Sequence, residues 1–271
     1  MITSPSGALA SRLGLAAHPQ QHARDCIRRA FANGINYFFF YGAGHTSFVH
    51  ELKKLSGSHR DEIIIATGSG ARKRNGLQAV RRRLTTAVHT EFLDVFFAEY
   101  IHPGDDLATI FAAGGVLDQL QEWKTRGWIR LAGASVHDRD LAERLARDQR
   151  VDVLMHRFNM AHRKAADRVF PVALQHQTPI VAFTATRWGT LLQPHPSWPH
   201  ASPTAADCYR YCLTHPAVRL VLTSPRTGAE LDENLGVLAA KSMTRRELAR
   251  WEQFGDLVYG NGAERFETQW P

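Results

Sequence analysis

Short apolar runs alternate along this chain with longer stretches in which apolar residues return every three or four positions, the patterns of buried strands and amphipathic helices. The runs fall at 11–16, 34–41, 62–67, 92–99, 129–135, 151–158, 179–184 and 218–223. Helical periodicity fills the intervals, over 20–33, 46–55, 77–90, 115–126, 139–147, 164–175, 205–214 and 228–240. Gly34 stands where a helix takes its C′ glycine. Strands that are apolar throughout, each followed by a helix of crossover length, imply a parallel sheet covered on its outside. Eight such units in 271 residues predict one α/β domain over 1–271, a (β/α)8 TIM barrel with an added C-terminal helix over 245–257. Residues 1–7 read as a polar lead, and a Pro/His loop follows the seventh strand through Pro203. A doubly wound open sheet would set a glycine-rich phosphate turn after its first strand, and Leu13-Gly14-Leu15 is not that turn.

The second run, Tyr37-Phe38-Phe39-Phe40-Tyr41, ends in the glycine-bracketed turn Gly42-Ala43-Gly44. Phe38 and Phe40 read as core, and Tyr41, beside the turn, as a side chain delivered to a site. Barrels of this kind carry their chemistry at the C-terminal ends of the strands. Those ends present Tyr41, Gly68, Glu99, Ser135, Met155 or Arg157, Phe183 and Ser224, with His137 and Arg226 in the adjoining loops.

Composition narrows the partners. Lys and Arg number 33 against 26 acids, a formal +7 at pH 7, dispersed in patches such as Arg81-Arg82-Arg83. That balance suits an anionic small molecule or plain solubility. Without zinc-finger spacing, an RNA-binding aromatic segment or a recognition-helix pattern, no nucleic-acid partner is expected. Cys26, Cys208 and Cys212 are too few for a disulfide framework and point to a reducing, cytoplasmic setting, with the last two packed on one helical face. His102, His137 and Glu99 lack a metal-binding spacing, so no metal is expected. No apolar run is long enough to span a membrane, and no leader pattern opens the chain. Oligomeric state leaves no mark in the sequence.

Five segments, in order, resemble the aldo-keto reductase family. Gly34-Ile35-Asn36-Tyr37-Phe38 is similar to its GINFFDTA opening, and Tyr41-Gly42-Ala43-Gly44-His45-Thr46-Ser47 to the YGxGxSE segment with its catalytic tyrosine. The stretch from Gly127 to Ser135 resembles GKIRAIGVSN, and that from Val181 to Leu192 resembles VAYSPLGRGLL. The stretch from Thr223 to Leu235, ending Asn234-Leu235, resembles TGARTPEQLEENL, which holds the adenosine end of NADP(H) in that family. The resemblance implies a barrel oxidoreductase that reduces carbonyls with NADP(H).

The resemblance also defines where this chain departs. Of the family's Asp, Tyr, Lys and His, only the tyrosine has a counterpart, Tyr41, and it aligns only with a short deletion before it. The other three positions fall on Phe39, Gly68 and Glu99. Without the Lys and Asp, a tyrosine keeps its proton to about pH 10. Family branches that reduce conjugated carbon–carbon double bonds carry Glu where Glu99 stands, and a protonated Glu99 could polarise an enone oxygen. Pairing with a nearby arginine is the other reading of Glu99. For the cofactor, Ser135 matches a carboxamide contact, Met155 replaces a Gln, and Phe183 stands where an aromatic stacks on nicotinamide. Ser224, Arg226, Thr227 and Asn234 belong to the adenosine-phosphate segment, where Arg226 could grip a 2′-phosphate at a helix N-terminus.

Ser135-Val136-His137-Asp138-Arg139 and the stretch from Val153 to Arg163 resemble a divergent branch of the family. In it, Arg157, His137, Arg187 and Trp188 are candidates for an anionic-substrate pocket; Phe39 is a further candidate substrate contact and His137 also a candidate catalytic group. Three functions stay open: NADP(H)-dependent reduction of a small carbonyl or enone, non-redox acid/base chemistry by Tyr41, Glu99 and His137, or a relative that has lost cofactor binding.

Overall fold

The computed structural model describes residues 1–260, and it is a closed barrel of eight parallel strands in sequence order. The strands are β1 Leu13–Ala16, β2 Tyr37–Phe40, β3 Ile64–Ser69, β4 Leu93–Ile101, β5 Ile129–Val136, β6 Val153–Arg157, β7 Ile180–Phe183 and β8 Val218–Thr223. Around them run α1 Ala23–Ala32, α2 Thr46–His59, α3 Arg74–Val88, α4 Leu107–Phe111, α5 Val116–Thr125, α6 Arg139–Arg147, α7 Ala165–Gln175, α8 Ala205–Cys212, α9 Gly228–Ala239 and the added α10 Arg245–Tyr259. The (β/α)8 barrel and its extra C-terminal helix are as expected. The single-domain expectation extends over 261–271, which lie outside the described residues.

Two apolar layers meet at each strand, because successive side chains point to opposite faces. Tyr37 and Phe39 point into the barrel with Ile64, Ala66, Val95, Phe97, Met155 and Phe183. Phe38 and Phe40 point outward into the layer beneath the helices. Both pairs are fully buried, so the aromatic run is core on two sides.

Residues 1–10 are more than a polar lead. Ile2 is fully buried and packs with the barrel interior, Thr3 bridges Leu9, and the Arg130 guanidinium donates to the Thr3 carbonyl at 2.7 Å. A barrel core open at its N-terminal end would expose apolar side chains, and this segment floors it. Nearby, Asp94 accepts from the Ile65 amide at 2.8 Å and pairs with Arg60 at 2.8 Å and Arg130 at 2.9 Å. Helix α4 and the 3-10 turn Thr190–Leu192 are too short to show periodicity in the sequence. All three cysteines are buried free thiols, and Cys212 Sγ donates to the Phe158 carbonyl at 3.0 Å.

Candidate active site at the barrel mouth

Strand β4 delivers Glu99 to the mouth and β3 makes room for it. Gly68 pairs with Phe97, and Glu99 lies one inward step further along β4. A Cβ on Gly68 would stand 2.7 Å from Glu99 Cγ and 2.9 Å from its Oε1, and closer still to the Phe97 carbonyl oxygen. The position that the family gives to lysine is thus filled by the Glu99 side chain. Gly133 on β5 has the same function for the Phe97 ring, whose Cε1 would lie 2.6 Å from a Cβ there. Tyr41 stacks edge-on against Phe39, ring centroids 4.5 Å apart, and Phe39 meets Phe97 at 6.0 Å. These rings form the apolar wall around the acid.

That wall sets the charge state. Burial pushes the Glu99 pKa up to about 8, with Arg72 pulling in the opposite direction. Arg72 does not pair with the Glu99 carboxyl: it ion-pairs with Asp105 at 3.0 Å and donates to the Glu99 backbone carbonyl at 2.8 Å. Among the described residues, Glu99 Oε1 is buried without a hydrogen-bond partner. At neutral pH the carboxyl is therefore mostly a neutral acid, able to donate a hydrogen bond. Tyr41 is raised above its ordinary value by burial first and by Glu99 second, so it stays a phenol.

The end of β4 is irregular. Its register against β5 shifts between Ala98 and Ile101, and Tyr100 takes φ 51°, a costly conformation for a residue with a side chain. The Tyr100 amide donates to Ser135 Oγ at 2.8 Å. Ser135 therefore supports the bulge beside Glu99. The His137 ring sits edge-on to Phe183 at 4.9 Å and to Tyr100 at 5.5 Å. Met155, paired with Ser135 in register, is buried in the barrel interior and brings no polar atom to it but sulfur.

Arg157 pairs in register with Phe183 at the ends of β6 and β7. Its charge helps to hold three nearby imidazoles neutral: burial and then Arg157 lower His137 and His162 to about 3, and burial lowers His156 to about 4. His156 Nδ1 donates to the Val136 carbonyl at 2.8 Å, the oxygen having no proton to give. Arg187 is buried, 2% exposed, and donates to the Val258 carbonyl of α10 at 2.6 Å. Trp188 is 41% exposed on the surface. Within the expected substrate set, Phe39 and Arg157 are at the mouth, Arg187 ties the loop after β7 to α10, and Trp188 faces outward.

The adenosine-phosphate segment has a built anion seat at the start of α9. Glu230 accepts from the Arg226 amide at 2.8 Å and from its guanidinium at 3.1 and 2.8 Å, and Thr227 Oγ1 accepts from the Glu230 amide at 3.2 Å. The Arg226 amide contact is the main reason the Glu230 carboxyl titrates below its usual range. The donors suit a phosphate, and Glu230 stands in for one. Ser224 Oγ donates to the Ala17 carbonyl at 3.2 Å, and buried Asn234 donates to Thr223 Oγ1 at 3.0 Å, fixing α9 to β8. At the other end, Phe183 and Ser135 are buried at their strand ends, the Ser135 hydroxyl already accepts from the Tyr100 amide, and Met155 brings no amide beside them.

Sequence reasoning missed Glu230, Arg72, His156, His162 and the Tyr100 bulge. A signal existed for Glu230, four residues after Arg226 in a helical stretch, where opposite charges meet. Among the described residues, no group of three His, Cys, Asp or Glu is placed to hold a metal ion, and no helix is long and apolar enough to cross a membrane.

A parallel eight-stranded barrel with an acid, a phenol and an aromatic ring at its strand ends defines a mouth-sited enzyme-like class. The model of the Aldo/keto reductase family matches residues 7–197, and the chain belongs to that family. Among solved structures, an aldo-keto reductase of Bacillus halodurans in its holo form superposes with TM-score 0.73 at 18% identity, over 98% of each chain. An aldo-keto reductase of Klebsiella pneumoniae in complex with NADP and acetate gives TM-score 0.73 at 14% identity, over 92% of this chain and 93% of that one. The glycerol dehydrogenase of Gluconobacter oxydans gives 0.72 at 15% identity, over 94% of each. At such identities the likeness concerns the fold. No curated protein sequence matches the chain.

Proposed function

We propose that this chain is an NADP(H)-dependent oxidoreductase acting on a small carbonyl conjugated to a carbon–carbon double bond, with Glu99 as the acid. The observation that carries this reading is the Glu99 carboxyl itself, raised to about 8, set against Gly68 and walled by Phe39, Phe97 and Tyr41. A neutral carboxyl donates a hydrogen bond to the substrate oxygen, and this strengthens as negative charge develops there. Tyr41, held as a phenol, is the second donor at the mouth. The aromatic wall keeps water from the acid and so preserves its proton. Bound nicotinamide supplies the hydride; Phe183 and Ser135 would hold its ring, and Arg226, Thr227 and the start of α9 its phosphate. The Klebsiella pneumoniae relatives solved with NADP and with NADPH support this choice of cofactor. Three buried free thiols suit a cytoplasmic location.

A second reading draws on the neutral His137 near the mouth, a base of depressed strength in a site with an acid: non-redox proton transfer by Glu99, His137 and Tyr41. Titration with NADPH followed by tryptophan fluorescence separates the two. Saturable binding with consumption of NADPH in the presence of a conjugated enone is expected, and Glu99→Gln and Tyr41→Phe should each depress that turnover. Absence of saturable binding sinks the redox reading.

A further inference from the structure

Strand β3 ends at Ser69, opposite Ala98, so Glu99 and Tyr100 of β4 run on past its last residue. Backbone carbonyls in such an overhang take their donors from outside the ladder. Arg72 supplies them. It lies in the loop between β3 and α3, and its Nη2 donates to the Glu99 carbonyl at 2.8 Å and to the Tyr100 carbonyl at 3.2 Å. The Tyr100 amide, on the other side of that residue, is held by Ser135 Oγ at 2.8 Å. The left-handed Tyr100 backbone is thus gripped both from β5 and from the loop after β3.

Arg72 is itself anchored. Asp105, in the loop between β4 and α4, accepts from its Nη2 at 3.0 Å and its Nε at 3.4 Å, and from the His102 amide at 3.1 Å. The Asp105 amide returns to the His102 carbonyl at 2.9 Å and closes the turn. Burial raises the Asp105 carboxyl, yet the contacts from Arg72 and from the His102 amide outweigh it and bring it below its usual range, so the anchor is charged at neutral pH. On the near side, the Ala71 amide donates to Ser69 Oγ at 3.0 Å and fixes the base of the Arg72 side chain. The two side chains are 17% and 14% exposed, which shields the pair from the solvent that weakens surface ion pairs. A forked guanidinium can serve two carbonyls and a carboxylate together, whereas an ammonium is a point charge on a flexible stem.

We propose that Arg72 is a positioning residue for Glu99: anchored by Asp105, it fixes the strand end from which the Glu99 side chain folds over Gly68. It acts through the Glu99 backbone and not through the carboxyl. That this carboxyl is the acid of a reaction rests on the activity proposed above; the clamp stands without it.

The test uses the full isotope-labelled chain without nucleotide or substrate, read by NMR. Hydrogen exchange of the Tyr100 amide reports the clamp, and the Glu99 carboxyl signal, identified by its loss in Glu99→Gln, reports the acid. Arg72→Lys keeps the charge and loses the fork. Its Tyr100 amide should exchange about tenfold faster or more, while the Ile65 amide, held by Asp94 near the barrel floor, keeps its rate. Arg72→Met loses charge and fork together. The same faster exchange is expected, and the Glu99 midpoint should climb from about 8, because Arg72 is the charge that pulls it down. Tyr41, the other titratable group that senses Glu99, is raised by burial and stays neutral through that range. An unchanged Tyr100 rate in Arg72→Lys, equal acceleration at Ile65, or an unmoved Glu99 midpoint in folded Arg72→Met overturns the proposal. If Arg72→Met does not fold, exchange in Arg72→Lys decides alone. Where enone turnover is found, kcat of Arg72→Lys should fall about tenfold with KM little changed, and an unchanged kcat likewise overturns the positioning role. No nucleotide enters the exchange and titration measurements, so a failed NADPH titration leaves the clamp standing, and a failed clamp leaves the redox reading standing.

Discussion

Glu99 folds its side chain into the space above Gly68, with Oε1 2.9 Å from where a Cβ on that glycine would be. The two positions are coupled by volume: one can carry a side chain only because the other carries none. Gly68→Ala is expected to destabilise the barrel by about 1 to 3 kcal/mol through overpacking. Adding Glu99→Ala should recover only part, since the new methyl group still meets the Phe97 carbonyl oxygen. Thermal unfolding of the single and double variants measures this, and full recovery would contradict the geometry.

The raised Glu99 pKa has a stability consequence with a definite sign. The folded chain keeps a proton that the unfolded chain releases above the ordinary value of 4.5, so stability falls as pH rises from there through about 8. Gln cannot ionise. Wild type and Glu99→Gln should be nearly equal at about pH 5, and the variant should lead by on the order of 3 kcal/mol at about pH 9. A difference that did not vary with pH would show that Glu99 ionises normally.

At the start of α9, Glu230 competes with any phosphate for Arg226. Glu230→Ala should tighten NADPH about three- to tenfold by freeing a charged donor set, while lowering stability by about 1 kcal/mol through loss of the helix-start contact. Arg226→Ala should weaken NADPH. Fluorescence titration checks both, and weaker binding in Glu230→Ala would remove the phosphate seat from α9.

Asp94 is committed on both carboxylate oxygens, buried between Arg60, Arg130 and the Ile65 amide. Asp94→Ala leaves two guanidinium groups without their carboxylate and the Ile65 amide without its acceptor, and should cost about 3 to 5 kcal/mol. A melting temperature close to wild type would refute this.

The repeating unit was readable because each strand is apolar on both faces and each helix is long enough for periodicity to emerge. What stayed hidden depends on pairs distant in sequence or on single residues. Nothing local to Gly68 indicates that Glu99 will fill its space, and nothing local to Ser135 indicates that its hydroxyl will hold the Tyr100 amide. The floor at Ile2 and the Arg187 contact to the Val258 carbonyl arise only when the ring closes and α10 docks. That Tyr41 and Glu99 would lie near one another at the mouth followed from strand ends alone, because barrel topology makes the ends converge.

The single extra residue in β4 decides which side chains the site sees. From Ala98 to Ile101 β4 advances three positions while β5 advances two, from Ala134 to Val136. Ile101 consequently joins the helix-facing layer, although simple alternation from Phe97 and Glu99 would turn it inward. Tyr100 thus acts as a phase change in the strand: Val95, Phe97 and Glu99 follow one another on the inward face, and Ile101, the next odd position, belongs to the outside. Deleting that one residue would bring Ile101 into the mouth while leaving Gly68, Phe39, Phe97 and Tyr41 around Glu99 unchanged, so the shape of this opening depends on strand length as much as on residue identity.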